Sequence, residues 1–409
     1  MNNNIQKYPA YKPSGAEWLG EIPEHWEAIP GFTILYEAKE KNKGMKRTTV
    51  LSLSYGKIRV KGNDELTGLV PESFETYQFV NKGDIIFRPT DLQNDHVSLR
   101  SGMSEFDGII TSAYLNLRLK PIADSKYYSY LFRGIDNNKV IYGLGSGLRQ
   151  NIDFRDFKRF KFPFPPLHEQ TAIASFLDSK TSQIDQAIAQ KERMIELLKE
   201  RRLILIHNAV TRGINPNVKM KDSGVEWIGE IPEHWEIMAL KHIAKLQSGD
   251  SISPDKFIEE GGYPVFGGNG FRGYTDTYTN EGEFILIGRQ GALCGNVNYA
   301  KGKFYASEHA IVVYPLHQEN ILWLGESIKI ANFNRLSQTA AQPGIAVNVV
   351  KNVQFPYPPI TEQKAISFFI QLMSQKITTA LSLKEQEIEK LKEYKATLIN
   401  SAVTGKIKV

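Results

Sequence analysis

The chain contains very little cysteine and no long apolar run. Of its 409 residues only Cys294 carries a thiol, so no internal disulfide can form, and one thiol without a His or Asp cluster does not make a zinc site. No segment reaches the roughly 18 consecutive apolar residues that a membrane span requires. The first residues, Met1 to Lys7, lack the apolar stretch of a secretory signal. These absences predict a cytoplasmic protein without membrane segments and without a bound metal.

Charge of one sign is not in large excess either. Fifty Lys and Arg residues against 45 Asp and Glu residues give a formal net charge of +5. This charge permits nucleic acid binding but does not require it. A content of 41% hydrophobic and 23% charged residues is ordinary for globular domains with buried cores, and the length favours two or three domains.

Two sequence blocks each occur twice along the chain. Residues Ser14–Trp26 return almost unchanged as Ser223–Trp235, and Phe162–Gln170 return as Phe355–Gln363. The second pair of blocks continues without a gap to an Ala-Val-Thr segment in each copy. An internal period of this kind predicts a tandem duplication. We therefore expect that whatever the protein recognises has two parts.

A long apolar periodicity without Gly or Pro follows each proline cluster. Its apolar positions recur with the alternating four-and-three spacing that is typical of a coiled-coil seam. The seam residues are Leu177, Ile184, Ile188, Lys191, Ile195, Leu198 and Leu205 in the first copy, and Ile370, Ile377, Leu381, Lys384, Ile388, Leu391 and Leu398 in the second. Pro166 and Pro359 precede the two segments, where proline can open a helix. Gly213 and Gly405 follow them, where glycine suits a C-terminal cap.

These segments predict two long helices that pack against each other. A helix over Glu169–Val210 would be about 60 Å long, too long to bury its stripe inside one small domain. The other copy is its most available partner, so we expect an antiparallel coil with a globular head at each end. Matched polar positions in the seam are expected to fix its register. They are Thr181 with Ser374, Lys191 with Lys384, and Arg202 with Lys395. Two separately packed helices, or a coil that also offers a face to other subunits, remain alternatives.

The segments between the repeats predict two mixed α/β heads. The first head covers residues 29–161 and the second head covers residues 237–354. Short stretches rich in β-branched and aromatic residues predict strands at Thr49–Leu53, Asp84–Phe87, Ala113–Leu119, Phe284–Ile287 and Ala310–Tyr314. The back portions of the heads align, each with a helical segment after a proline, whereas the front portions do not resemble each other. The expected division of the chain is 1–161, 162–214, 215–354 and 355–409, with a recognition domain followed by a long helix in each copy.

Loops in both heads are dense in Gly, Asn, Arg, Gln and Lys. The donors of Arg, Lys, Asn and Gln match base edges and phosphates, and glycine lets a backbone approach a ligand closely. One such loop alone is more often a solvated turn, but their concentration in both heads favours DNA contact. The candidate contacts are Lys57, Arg59, Arg88, Gln93, Asn94, Arg149 and Gln150 in the first head, and Asn269, Arg272, Arg289, Gln290, Asn296 and Gln342 in the second.

Patterns that resemble catalytic or cofactor sites fail on their context. Phe266–Gly270 fits the F-x-G-x-G pattern of S-adenosylmethionine loops, but no helical pattern follows it. Phe164–Leu167 and Tyr357–Ile360 lack the leading Asn or Asp of the amino-methyltransferase tetrapeptide. An acidic cluster in the second head lacks the lysine of a nuclease site. His25 and His234 each precede a tryptophan, and we expect a structural corner with the imidazole hydrogen-bonded and the indole packed. No catalytic constellation is identified.

The doubled motifs resemble the specificity subunit of type I restriction-modification systems. The resemblance rests on the two S-G-x-E-W-x-G-E-I-P-x-H-W segments, the two P-x-P-P-x-x-E-Q helix starts and the Ala-Val-Thr helix ends, and it covers essentially the whole chain. It implies two target-recognition domains separated by an antiparallel pair of long helices. Each domain would recognise one half of a split, asymmetric site in double-stranded DNA, and the helices would set the gap. It also implies that this chain has no catalytic activity.

The resemblance further implies the partners of the chain. Two modification subunits would methylate adenine with S-adenosylmethionine, and restriction subunits would translocate and cleave DNA with ATP and Mg²⁺. These cofactors are expected only in the partner subunits, and none in this chain. Two alternatives remain: a stand-alone DNA-modifying enzyme, and a scaffold whose two heads bind proteins.

Overall fold

The structure is a computed structural model that describes residues 6–66, 73–90, 99–143, 151–291, 293–337 and 344–409. The chain divides into two compact units. The first unit comprises Met1–Lys191 with Gln386–Val409, and the second comprises Glu192–Glu385.

Short strands make up most of the first unit. They are β1 (Tyr11–Pro13), β2 (Glu21–Pro23), β3 (Glu27–Pro30), β4 (Leu35–Glu37), β5 (Leu51–Ser54), β6 (Lys57–Val60), β7 (Gln78–Val80), β8 (Ile85–Phe87), β9 (Ser101–Met103), β10 (Gly108–Ile110), β11 (Leu115–Leu119) and β12 (Lys161–Phe164). The predicted strands of the first head are confirmed as β5, β8 and β11, within one or two residues at their ends.

The second unit has fewer and longer strands. They are β13 (Met220–Asp222), β14 (Glu230–Pro232), β15 (Glu236–Ala239), β16 (Ala244–Ser248), β17 (Tyr263–Gly267), β18 (Gly270–Thr275), β19 (Asn280–Gly288), β20 (Val297–Ala306), β21 (Ala310–Pro315) and β22 (Gln354–Tyr357). The predicted strands of the second head are confirmed as the inner part of β19 and as β21.

Two long helices and six shorter ones complete the described secondary structure, apart from 3₁₀ turns. The α-helices are α1 (Gly31–Ile34), α2 (Ser125–Asn137), α3 (Phe154–Arg159), α4 (Leu167–Arg212), α5 (Leu240–Ile243), α6 (Ile321–Ile330), α7 (Val347–Val350) and α8 (Ile360–Val403). Among the described residues, no helix is both long enough and apolar enough to cross a bilayer.

The four-stranded sheet of the first head has the same strand order as the first four strands of the six-stranded sheet in the second head. Strand order is β4-β11-β8-β9 in the first head and β16-β21-β19-β20-β17-β18 in the second. The β5–β6 hairpin of the first head corresponds to β17–β18, because each lies next to a later strand through a parallel pairing, Val50 with Ile109 and Val265 with Tyr305. The structural likeness of the heads therefore extends into the front portions, where the sequences show none.

The long helices pair inside each unit. The first unit holds the beginning of α4 with the end of α8, and the second unit holds the end of α4 with the beginning of α8. This arrangement is antiparallel, as predicted. The fourteen seam residues named above are buried or half-buried, and none is exposed. In the first unit the Lys191 ammonium lies 2.5 Å from Glu387, and the Lys395 ammonium lies 2.6 Å from Asp185, so seam lysines form ion pairs with the opposite helix.

The repeated His-Trp pair is joined to the repeated Glu at the start of each long helix. In the first unit the Trp26 indole N–H donates to Glu169 over 3.0 Å, and His25 Nε2 lies 2.6 Å from the same carboxylate. The second unit repeats this geometry with Trp235, His234 and Glu362, at 3.0 and 2.7 Å. Both indoles are fully buried. The predicted structural corner is confirmed in both copies, and we call each of these groups the His-Trp corner.

The glutamine that follows each of these glutamates holds the head helix. Gln170 accepts the backbone N–H of Asp124 over 2.8 Å, and Gln363 accepts that of Asn320 over 2.9 Å. Asp124 and Asn320 are the N-cap residues of α2 and α6. The repeated Glu-Gln pair therefore joins the long helix to the His-Trp corner on one side and to the head on the other.

Candidate nucleic-acid interface

Four polar loop segments of the second head meet at one end of its sheet. The β17–β18 turn lies over the end of β19, since a methyl group at Gly268 would stand 3.1 Å from the His309 carbonyl oxygen and 3.3 Å from that of Gln290. The backbone of Arg289 donates to the same His309 carbonyl over 2.9 Å. Asn296 donates to Asn269 across the surface over 3.2 Å. The fold thus brings together four of the predicted contacts: Asn269, Arg289, Gln290 and Asn296.

The side chains of this surface are oriented by polar neighbours and remain accessible. The Arg289 guanidinium donates to the Ser248 hydroxyl over 3.2 Å, and His309 Nδ1 lies 2.9 Å from Gln290 Oε1. Gln290 is exposed and Arg289 is half-buried. Planar amide and guanidinium groups of this kind can make paired hydrogen bonds to base edges. We call the surface formed by Asn269, Arg289, Gln290, Asn296 and His309 the loop surface of the second head.

Arg272 lies beside the β17–β18 turn of the second head. A methyl group at Gly267 would collide with Arg272 Cδ, and the Arg272 guanidinium lies over the Phe257 ring at 5.7 Å from the centroid. Arg272 therefore flanks the turn that carries Asn269. Its role as a DNA contact stays a prediction.

The corresponding end of the first head carries Arg88 and the β5–β6 turn. The Arg88 backbone donates to the Arg100 carbonyl over 2.8 Å, as Gly288 does to Asn296 in the second head. A methyl group at Gly56 in the turn would stand 2.9 Å from the Leu99 side chain. Arg88 and Lys57, which follows the turn, therefore lie at the end of the sheet that corresponds to the loop surface of the second head.

Arg59 is exposed but already paired. Its guanidinium lies 2.7 Å from Glu65, and the pKa of Glu65 is lowered by the backbone N–H of Gly62 and then by Arg59. Arg59 would have to exchange this ionised partner for a phosphate. The remaining candidates, Gln93, Asn94, Arg149, Gln150 and Gln342, lie outside the described residues.

Sequence reasoning missed two residues of the second head's surface. His309 and Ser248 orient Gln290 and Arg289, yet neither lies in a glycine-rich loop. The only local signal was their position, since Ser248 ends β16 and His309 immediately precedes β21. No group of three or more His, Cys, Asp or Glu side chains in the described ranges is arranged as a metal site.

Comparison with known proteins gives one consistent family. Residues 29–197 and 232–393 match the type I restriction modification DNA specificity domain. The chain is 44% identical over 128 residues to the type I restriction enzyme EcoprrI specificity subunit of Escherichia coli, a match that covers 30% of this chain and 32% of that subunit. It is 26% identical over 333 residues to the MjaVIII specificity subunit of Methanocaldococcus jannaschii, covering 74% of this chain and 75% of that one.

The fold has solved counterparts. A chain from a structural study of complex assembly and conformational transition in a type I R-M system superposes with a TM-score of 0.72 at 16% identity, covering 93% of this chain and 98% of that chain. At this identity the superposition supports the fold alone. The family match extends over both heads and both helix starts, and the predicted resemblance is confirmed. The chain belongs to the type I restriction-modification DNA specificity family, as a sequence-recognition subunit.

Proposed function

We propose that each head contacts one half of a split, asymmetric site in double-stranded DNA, and that the two long helices set the distance between the halves. One observation carries this proposal: the two heads have corresponding sheets, but different side chains occupy the end of the sheet where the polar loops lie. Asn269, Arg289, Gln290 and Asn296 occupy that end in the second head, whereas Lys57 and Arg88 occupy it in the first. Phosphate contacts by Lys and Arg would supply affinity, and a few side chains per head would discriminate bases.

The proposed partners are two modification subunits that methylate adenine, together with restriction subunits that translocate and cleave DNA. S-adenosylmethionine, ATP and Mg²⁺ would be bound by these partners, while this chain supplies recognition without catalysis. The Phe266–Gly270 segment supports this division of roles. It forms the turn between β17 and β18, whereas a cofactor loop of that pattern leaves a strand and opens a helix.

The long helices offer apolar side chains for docking the modification subunits. Phe368 is 69% exposed, and Leu203, Ile204 and Leu383 are also more than half exposed. Exposed apolar groups that lie close together are typical of protein interaction sites. Changing Phe368 and Leu372 to Ser should weaken binding of a modification subunit to the helices of the second unit. Glu385→Ser is the matched control, because Glu385 is exposed on the same helix but lies several turns away and on a different face. Mass photometry of the co-purified complex would measure the stoichiometry.

Base-modification sequencing tests the central proposal. The chain would be co-expressed with its modification subunit, and the methylated motif would be compared with and without the gene. One split adenine-methylated motif should appear with the gene and vanish without it. Methylation by the purified chain alone would instead support a stand-alone enzyme. Absence of any sequence-specific methylation, together with no specific binding to DNA, would support the scaffold alternative.

Variants in the two heads then assign the half-sites. Arg289→Ala should relax or abolish methylation through one half of the motif, and Arg88→Ala should act through the other half. Each lost bidentate base contact should reduce discrimination about tenfold. If both variants altered the same half-site, the assignment of one head to each half would be wrong.

A further inference from the structure

The tip of the β5–β6 hairpin carries a residue that the turn itself disfavours. Ser54 pairs with Lys57, so Tyr55 and Gly56 form a two-residue turn, and their φ values are +48° and +72°. Turns with positive φ at both positions favour Asn-Gly or Asp-Gly. An aromatic L-residue at positive φ is strained. Turn formation therefore does not explain a tyrosine at this position.

Packing does not explain the tyrosine either. Tyr55 is 91% exposed, the highest exposure among the large hydrophobic residues of the described chain. A ring that projects into solvent contributes almost nothing to the core. A strained backbone position that holds an exposed aromatic side chain is the kind of feature found at functional sites.

The backbone beneath Tyr55 is held firmly in place. The Arg133 guanidinium, from α2, donates to the Gly56 carbonyl over 2.9 Å. A methyl group at Gly56 would stand 2.9 Å from Leu99 Cβ, so the turn has no room to shift toward the sheet. The ring is therefore presented from a fixed support, which lowers the entropy cost of inserting it into a ligand.

The position of Tyr55 corresponds to the loop surface of the second head. Ser54 pairs with Lys57 as Gly267 pairs with Gly270, so Tyr55 takes the place of Gly268. In the first head the turn is followed by the exposed cations Lys57 and Arg59, which alternate with the buried Ile58 along β6. An aromatic ring next to cations on one surface suits a nucleic acid, whose bases stack on the ring while its phosphates meet the cations.

We propose that Tyr55 is a stacking wedge, whose ring inserts against the bases of the first half-site while Lys57 holds a neighbouring phosphate. This inference rests on the proposed function and adds a residue that no sequence motif indicated. Because every base has a stacking face, the ring supplies affinity and local distortion of the duplex rather than base discrimination. The second head has Gly268 at this place, so the distortion should be confined to one half-site.

The test uses the full chain in complex with its modification subunits, bound to duplexes that contain the methylated motif. 2-Aminopurine would replace adenine at successive positions of each half-site, because its fluorescence rises when the base unstacks. The modification subunits are expected to extrude the target adenine of each half-site, so these two positions are left as adenine. At the remaining positions, the wild-type complex should raise the fluorescence at one step of the first half-site. Tyr55→Gly should abolish this rise and weaken binding about tenfold, as loss of one stacked base predicts. Tyr55→Phe should preserve both properties.

A stability measurement separates a role in DNA binding from a role in folding. Tyr55→Gly relieves the positive-φ strain, so its unfolding midpoint should rise while its affinity for DNA falls. Phe106→Ala is the matched control, because Phe106 is an exposed aromatic residue of the same head that lies between Glu105 and Asp107. It should leave DNA binding unchanged.

The possible outcomes distinguish a failure of the proposed DNA recognition from a failure of the Tyr55 wedge. If the wild-type complex shows no specific DNA binding, the proposed function itself fails. If the wild type binds specifically but Tyr55→Gly gives the same affinity and the same fluorescence, the wedge proposal alone is overturned. A loss of affinity without any fluorescence change at either half-site would also overturn it, because the ring would then act without unstacking a base.

Discussion

The two heads build the same pair of strands in different ways. In the second head β19 and β20 are continuous, and Gly282 lies directly opposite Gly302 in their register, with φ values of +135° and +81°. In the first head the corresponding path is broken into β7 and β8 on one side and β9 and β10 on the other. Two paired glycines at positive φ stay within continuous strands in one head, and short loops interrupt the strands in the other.

A charged network centred on Asp84 stabilises the loop between β7 and β8 in the first head. The Asp84 carboxylate accepts two hydrogen bonds from Arg118, at 2.8 and 2.7 Å, and one from the backbone of Asn81 at 2.8 Å. Asn116 adds a fourth bond at 3.2 Å. The Asp84 side chain is only 3% exposed, so this network is a structural element of the head.

The difference shows why the front portions of the heads have no common sequence. One strand path can contain paired glycines or can be interrupted by loops around a buried Asp–Arg network, and the two solutions use unrelated residues. The connection between each head and its long helix, in contrast, depends on the His-Trp corner and on the Glu-Gln pair. These residues occur in both copies because they make the same hydrogen bonds in both units.

The largest effect is expected from breaking the charged network. Asp84→Ala leaves the Arg118 guanidinium partly buried without its carboxylate, which should cost about 3–5 kcal/mol of stability. Chemical denaturation with a spectroscopic probe in each unit would measure the loss. It should fall on the first unit, while Asp276→Ala, at an exposed aspartate of the second head, serves as the control. A loss below about 1 kcal/mol would show that the network does not hold the break.

The two His-Trp corners should differ in strength. Glu169 accepts from Trp26, from His25 and also from the Tyr8 hydroxyl at 2.9 Å, whereas Glu362 accepts from Trp235 and His234. Glu169→Ala should cost about 2–3 kcal/mol and Glu362→Ala about 1–2 kcal/mol, since each buried donor left unpaired costs about 1 kcal/mol or more. The buried donors are Trp26 and Tyr8 in the first corner and Trp235 in the second, whereas both histidines are exposed to solvent. Thermal unfolding of both variants measures this, and equal losses would contradict it.

The corner of the first unit should also respond to acid. Burial raises the pKa of Glu169, but hydrogen bonds from Trp26, His25 and Tyr8 lower it by more, so that the pKa lies below its ordinary value of 4.5. A carboxyl whose folded pKa is depressed stabilises the protein above its unfolded pKa, and this contribution is lost as the pH falls through the folded pKa. The first unit should therefore lose stability below about pH 4.5. Glu169→Gln should flatten this dependence in a series of denaturation curves.

The glycine pair of the second head, Gly282 and Gly302, gives a smaller effect. Gly282→Ala should cost about 1–2 kcal/mol, because its φ is unfavourable for alanine. The added methyl group would also stand 3.1 Å from the Phe284 ring. Gly302→Ala is the matched control, since its φ is also positive but nothing lies within 4 Å of the added methyl group. The unfolding midpoint of Gly282→Ala should therefore be lower than that of Gly302→Ala. The reverse order would show that the contact with the Phe284 ring does not destabilise the variant.

The smallest effect is expected in the helix seam. Lys191 pairs with Glu387 in a partly exposed bridge, and such pairs contribute less than about 1 kcal/mol. A polar seam residue costs stability while it fixes register. Lys191→Met should therefore raise the unfolding midpoint slightly, and Lys199→Met, at an exposed position of the same helix, should not. A loss of more than about 1 kcal/mol would show that the bridge stabilises the seam.

The sequence alone determined the duplication, the two long helices and the resemblance to the family, and it favoured an antiparallel pairing of the helices over the alternatives. These features depend on local periodicity and on residues that occur twice, so they can be recognised without a fold. The helix limits were predicted closely as Glu169–Val210 against the observed Leu167–Arg212, because Pro166 and Gly213 act locally. Gly213 and Gly405 have positive φ, as their predicted cap positions require.

Only the tertiary structure decided which polar loop residues lie together. Asn269 and Asn296 are 27 residues apart, and His309 reaches Gln290 from the start of β21, which lies beside the end of β19. Loop sequences report which donors are available, but the sheet register decides which of them share a surface. Tyr55 is the clearest case, because its exposure and its positive φ exist only once β5 and β6 are paired.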